Sequence, residues 1–296
     1  MSMHLARALA AAAIASLLHA CGDADSAQQR SSTPAILPGF AQQTSTNADA
    51  RPPEIPYSPD TPRWVATVAR RWPHDTMAFT QGLLVHERRL LESTGIEGRS
   101  GVREVERATG RIIRRADLSA KEFGEGIAVL GGRLYQLTWK SGRGVVYDAR
   151  TLAPLDSFSY EGEGWGLTTD GSVLYLSDGT SRVRVVDPNG FRVRRTIQVS
   201  EVGKPIYMLN ELEWVRGELW ANVYETNLVA RIDPLTGHVL GWIDLSQVLS
   251  PRDSARVATR GGVANGIAFD QLTRRVLVTG KYWPIVAELD SVPGGR

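Results

Sequence analysis

From Trp64 onward the chain alternates short apolar runs with tight polar turns, a pattern that predicts strand after strand and leaves little room for long helices. One stretch displays it fully. Gly126-Ile127-Ala128-Val129-Leu130 leads through the turn Gly131-Gly132 into Leu134-Tyr135-Gln136-Leu137-Thr138-Trp139. Val145-Val146-Tyr147-Asp148 and Ser157-Phe158-Ser159-Tyr160 then follow as third and fourth strands. Third strands of the same kind occur at Val102-Arg103-Glu104-Val105, Val183-Arg184-Val185-Val186-Asp187 and Leu228-Val229-Ala230-Arg231-Ile232-Asp233. Turns such as Pro188-Asn189-Gly190 and Pro234-Leu235-Thr236-Gly237 come after them.

The four-strand unit repeats. A short segment with a large polar or aromatic residue just before a glycine recurs five times, and that residue is Gln81, Glu125, Trp165, Asn210 and Asn265 in turn, at intervals of 44, 40, 45 and 55 residues. In the fourth segment Glu211 stands where glycine is expected. Such a period is that of a propeller blade. A second register supports it: eight residues separate Gly82 from Leu90, Gly126 from Leu134, Gly166 from Leu174 and Glu211 from Leu219. Accidental periodicity in an open antiparallel domain would not keep both registers. The expectation is an all-β, five-bladed β-propeller over residues 63–296, its last blade completed by the strand Val65-Ala66-Thr67-Val68-Ala69 so that the ring closes.

The segment before it has another character. Arg7 precedes an Ala/Leu/Ile run from Ala8 to Leu18 that is too short to span a bilayer, so residues 1–20 read as an export signal. Cys21, the one cysteine of the chain, follows at once. This placement resembles the lipobox of bacterial lipoproteins, with acylation of Cys21. An ordinary signal cut near Ala20 is the other reading. Seven of the 15 prolines fall at positions 34–62, which marks residues 21–62 as a disordered tether. The expected location is outside the cytoplasm, in a bacterial periplasm, with membrane contact through a lipid on Cys21 and no other.

Composition narrows the chemistry. The chain has 296 residues and a formal charge of +2, with arginines scattered among acids, so no nucleic-acid footprint is expected. Outside the export signal only His74, His86 and His238 remain, none at ligand spacing to another, so a catalytic zinc of the His/Cys type is not expected. Neither a Gly-x-Ser-x-Gly elbow nor a phosphate loop occurs. Asp178, Asp187, Asp233 and Asp244 read as turn acids, and a structural calcium in the channel stays open.

Five positions beyond each second-strand start lie Gly95, Trp139, Gly179, Tyr224 and, after a two-residue lengthening in the last blade, Lys281. The two registers together line one mouth of the channel with Gln81, Glu125, Trp139, Trp165, Asn210, Tyr224, Asn265 and Lys281. Flanked by aromatic residues, Glu125 is expected to lose hydration and hold its proton more tightly, as a proton shuttle near neutral pH requires. Lys281 suits a developing oxyanion. A plain channel salt bridge between the two is the bland alternative.

The segments Phe79-Thr80-Gln81-Gly82, Phe123-Gly124-Glu125-Gly126, Glu163-Gly164-Trp165-Gly166-Leu167, Leu209-Asn210-Glu211-Leu212-Glu213, Ala221-Asn222-Val223-Tyr224, Asn265-Gly266-Ile267-Ala268 and Val278-Thr279-Gly280-Lys281-Tyr282-Trp283-Pro284 resemble the plant-type glutaminyl-peptide cyclotransferases, bacterial members included, over about residues 64 to 290. The resemblance implies conversion of an N-terminal glutamine of peptides and proteins to pyroglutamate, with release of ammonia and no catalytic zinc. By position it puts the catalytic glutamate on Glu125 and the substrate pocket on Phe79, Gln81, Phe123, Trp139, Trp165, Asn210, Tyr224, Asn265 and Lys281. Tyr224 departs from the tryptophan expected in plant members. Two other classes remain: a non-catalytic envelope propeller that binds peptides or partners, and a calcium-dependent lactonase or esterase. A closed ring offers few free edges, which favours a monomer.

Overall fold

The computed structural model describes Ile55 and residues 58–292. The export signal, Cys21 and most of the tether expected at 21–62 lie outside the described residues.

Each blade is built on four antiparallel strands ordered from the inside outward, in chain order in the first four blades, and blade four carries a fifth, parallel strand on its outside. Blade one consists of Thr80–His86, Arg89–Thr94, Gly101–Val105 and Ile112–Asp117, and blade two of Gly124–Leu130, Arg133–Thr138, Arg143–Asp148 and Pro154–Ser159. Blade three comprises Leu167–Thr169, Leu174–Ser177, Arg182–Asp187 and Arg192–Gln198; blade four comprises Leu209–Val215, Glu218–Val223, Leu228–Ile232 and Val239–Asp244. Blade five has Ala264–Asp270, Arg275–Gly280 and Ile285–Leu289, and takes its outer strand from Val68–Pro73. The helix Pro251–Ala258 lies between blades four and five and accounts for the longest repeat interval. Its start is fixed by Ser250, whose side chain accepts from the Asp253 amide, with Pro251 in the first turn.

Ring closure differs from the expected single strand. The segment around Val65 splits in two. Arg63–Val65 pairs in parallel with Trp242–Asp244 on the outside of blade four, and Val68–Pro73 pairs antiparallel with blade five. Ala66, between them, is buried, and its amide donates to the Asp244 carbonyl at 2.8 Å. Apolar alternation cannot distinguish one strand from two that serve adjacent sheets, because each half keeps the same period. One short stretch thus seals two neighbouring blades.

The fold is anchored where blade five meets blade one by a buried ionic cluster. Both ring nitrogens of His74 face acceptors, Trp283 O at 2.8 Å and Glu92 Oε1 at 3.0 Å, which calls for the doubly protonated ring. Glu92 also accepts from Thr80 Oγ1 at 2.7 Å and Arg103 Nε at 2.9 Å, and Arg103 reaches on to Asp75. Burial favours the neutral acid, yet His74 and Arg103 outweigh it and hold the Glu92 carboxyl down at about 2. Burial likewise pulls His74 down, but Glu92 reverses this and leaves its pKa raised.

A carboxylate depressed on folding stabilises above its ordinary 4.5, and the contribution drains away as pH falls through about 2. Glu92→Gln breaks a buried ion pair, a class of change that costs about 3–5 kcal/mol. Urea unfolding should show that loss in full at pH 7 and a smaller gap from the unmodified protein at pH 3.

Candidate active site

Close approach of the inner strands puts the site together. A Cβ on Gly82 would lie 2.9 Å from Ile127 N, one on Gly126 2.4 Å from Leu167 N, and one on Gly166 2.1 Å from Asn210 O. These contacts are backbone against backbone, so only glycine fits. Just there the ladder to the second strand slips by a residue: between Thr80 and Gly82, Gly124 and Ile127, Leu209 and Leu212, and Ala264 and Ile267. In blade three the backbones of Trp165 and Gly166 both bond to Ser177. A bulge re-aims the residue it carries. The bulged residues are Gln81, Glu125, Asn210 and Asn265, with Trp165 in the corresponding place, and all five are fully buried. Glu211, in the glycine position of blade four, performs a bridging task instead. Its carboxylate accepts from Leu83 N at 3.1 Å and Ile267 N at 2.9 Å, tying blade four to blades one and five.

Three members of the ring form a chain of amides ending on the acid. Asn265 Nδ2 donates to Gln81 Oε1 at 3.1 Å and to Thr80 O at 3.0 Å, and Gln81 Nε2 donates to Glu125 Oε1 at 2.9 Å. The Asn265 bond fixes which end of the Gln81 amide faces Glu125, so that each bond polarises the next. The Asn210 carboxamide is buried, and neither its oxygen nor its nitrogen has a hydrogen-bond partner among the described residues. Its backbone carbonyl accepts from Ser177 Oγ of blade three at 2.6 Å.

The second register supplies walls and a cation. Lys281 is fully buried, its Nζ 4.5 Å from the Phe79 ring centre and 4.6 Å from that of Tyr224. These two faces favour the ammonium. Phe79 meets Phe123 edge-on at 5.8 Å, Phe123 meets Trp139 at 5.6 Å, and Trp165 meets Tyr224 at 5.8 Å. The two glycines of this register make room for those rings: a Cβ on Gly95 would fall 2.3 Å from Phe123, and one on Gly179 2.8 Å from Trp165.

Sequence reasoning passed over Glu163. Its Oε2 accepts from Trp139 Nε1 and from Trp165 Nε1, each at 2.9 Å. A signal was present, since Glu163 precedes Trp165 by the two residues that separate Phe79 from Gln81 and Phe123 from Glu125.

Electrostatics couple these groups. Burial pushes the Glu125 carboxyl well above its ordinary range; Lys281 opposes that and Glu163 adds to it. Burial lowers Lys281 to about 7 against the pull of Glu125 and Glu225. The two shifts run in opposite senses, the acid upward and the ammonium downward, so each moves toward the other. A pocket of about 540 Å³ at the opposite ends of the same inner strands, lined by His86, Val129, Thr169, Trp214 and Asp270 among others, includes none of these residues. Among the described residues, no three His, Cys, Asp or Glu side chains are grouped to hold a metal ion.

A five-bladed propeller with two acids, one cation, three amides and an aromatic wall gathered at its inner strands fits an enzyme site. The comparisons with known proteins agree. Residues 36–290 match the glutamine cyclotransferase family, and the chain belongs to it. A glutaminyl-peptide cyclotransferase of Arabidopsis thaliana is 43% identical over 220 residues, 73% of this chain and 68% of that one. The crystal structure of Myxococcus xanthus glutaminyl cyclase superposes with a TM-score of 0.73 at 35% identity, over 78% of this chain and 98% of that one.

Gly95→Ala should drive the Phe123 ring from its place while leaving the blade intact. Overpacking of this kind costs about 1–3 kcal/mol of folding stability, measurable by urea unfolding, and the displaced ring should raise KM in steady-state kinetics on a glutamine-initiated peptide.

Proposed function

We propose that this protein is a glutaminyl-peptide cyclotransferase acting on peptides and proteins that begin with glutamine. Buried Glu125, joined to the Gln81 amide and under the field of Lys281 within an aromatic cage, is the observation that carries this reading. Family membership supports it.

The reaction joins two groups of one residue. The neutral α-amine attacks the γ-carboxamide carbon, a C–N bond forms, and the carboxamide nitrogen leaves as ammonia. Nucleophile and electrophile are already tethered, so the pocket's task is to fold the side chain into attack geometry, which Trp139, Trp165 and Tyr224 do by enclosing its methylenes. Glu125 takes a proton from the attacking amine and returns one to the departing nitrogen, so that no net proton is gained or lost. The Lys281 ammonium holds the oxyanion of the tetrahedral intermediate. Asn210, with both ends of its carboxamide unengaged by protein, binds the substrate carboxamide.

Purified protein incubated with a glutamine-initiated dipeptide should release ammonia at a rate unchanged by chelator. Glu125→Gln should fold normally and lose turnover by at least about 10²-fold, the range of a positioned acid–base group. Peptide binding without ammonia release would instead favour the non-catalytic propeller, and ester hydrolysis abolished by chelator would favour the lactonase.

The sequence features around Arg7, the run Ala8 to Leu18 and Cys21 support export to the periplasm with a lipid on Cys21. Cells fed labelled palmitate should incorporate it into this protein, and Cys21→Ser should abolish incorporation. Unlabelled protein released into the periplasmic fraction would show an ordinary signal cut.

A further inference from the structure

Glu163 stands at a register position where the other blades carry apolar residues. The residues two before the bulged position are Phe79, Phe123, Glu163, Met208 and Val263. In four blades the carbonyl of that residue accepts from the second-register amide: Gly95 to Phe79 and Tyr224 to Met208 at 2.8 Å, Trp139 to Phe123 and Lys281 to Val263 at 2.9 Å. In blade three, Arg184 Nη2 takes the Glu163 carbonyl at 2.8 Å instead. The side chain is thereby aimed at the seam between blades two and three, where one oxygen meets two indole N–H groups from different blades. An indole nitrogen is donor-only, so two of them converging on one oxygen set the rotation of both rings.

We propose that Glu163 is a positioning residue of the site, clamping the Trp139 and Trp165 walls at a fixed separation and keeping a negative charge beside Glu125. This rests on the cyclotransferase reading for its consequence and on the geometry alone for the clamp. The carboxylate has two effects that can be separated. Its reach sets the two rings, and with them the slot that encloses the glutamine methylenes. Its charge raises the proton affinity of Glu125. The other groups that share the field with Glu125 are Lys281 from blade five, the half-buried phenol Tyr160 and the buried phenol Tyr224, while Asp178 and Arg184 pair beside Glu163 at 3.6 Å. None of these changes in the variants below.

Two variants isolate the effects. Glu163→Gln keeps the volume and an oxygen acceptor but loses the charge; Glu163→Asp keeps the charge but is one methylene too short to hold both indoles. The readouts are the ¹⁵N–¹H indole resonances of Trp139 and Trp165, the ¹³C titration of the Glu125 carboxyl, and KM for a glutamine-initiated dipeptide. In Glu163→Gln, Glu125 should titrate at lower pH, by at least about half a unit for loss of one nearby charge, and both indole resonances should move. In Glu163→Asp the Glu125 titration should stay near that of the unmodified protein, while the indole resonances move and KM rises about tenfold, with a smaller change in kcat. A purely structural glutamate would not separate the two variants. Indole resonances unmoved in both variants, or a Glu125 titration unmoved in Glu163→Gln, would overturn the proposal. Absence of ammonia release by the unmodified protein sinks the cyclotransferase reading alone, because both magnetic-resonance readouts are independent of turnover.

Discussion

Everything in this molecule depends on how closely the inner strands approach one another at the axis. Backbone lies against backbone at Gly82, Gly126 and Gly166, and no side chain can occupy that space. In blades one and two the strand slips one position against its neighbour just there. The bulge releases the residue it carries from the regular alternation. What serves blade packing therefore also gathers Gln81, Glu125, Trp165, Asn210 and Asn265, and the site follows from the same constraint as the ring. Glu211 shows its strength in another form. Where the fourth blade lacks the glycine, a carboxylate spans the axis to two backbone amides, so that the contact survives as hydrogen bonds to Leu83 and Ile267.

Collecting polar groups at a dry axis has an electrostatic consequence. Burial opposes both charges of the Glu125–Lys281 pair, pushing the acid up and the ammonium down. Each then favours the charged form of the other, so their protonation is a property of the pair. The surroundings divide by sign. Amide donors reach the acid through Gln81 and Asn265, whereas ring faces of Phe79 and Tyr224 meet the cation. His74 and Glu92, one layer away, resolve the same conflict differently. There, His74 and Arg103 acting on Glu92, and Glu92 acting on His74, outweigh burial, and the charges stay. In one cluster the charged forms are favoured by their partners; in the other burial works against both of them.

Much of this was legible from the residues alone. The bulged positions and the eight-residue register are covalent spacings, so the blades, their order and the candidate members of the site could be read directly. Two things were not. The closing segment around Val65 splits between two sheets because which neighbour a strand chooses is a tertiary matter that period-two alternation does not encode. Glu163 escaped notice because its importance is directional. Spacing shows that it shares a register with Phe79 and Phe123, but only the placement of two indoles shows that one oxygen serves both. Positions were visible; orientations were not.

The second register shows how the volume of the site is kept. Where it carries Trp139, Tyr224 or Lys281, the side chain itself fills the mouth; where it carries Gly95 or Gly179, a ring from the adjoining register lies over the bare backbone. Phe123 occupies the first gap and Trp165 the second, so each glycine is matched to an aromatic residue and neither can change alone. Tyr224 belongs to the same arrangement. It departs from the tryptophan expected there, yet its ring meets Trp165 edge-on at 5.8 Å and still offers a face to Lys281 at 4.6 Å. A narrower ring at that point leaves both contacts in place and gives up breadth of wall. The departure therefore bears on the breadth of the aromatic wall, while the contacts of Tyr224 to Trp165 and Lys281 are kept.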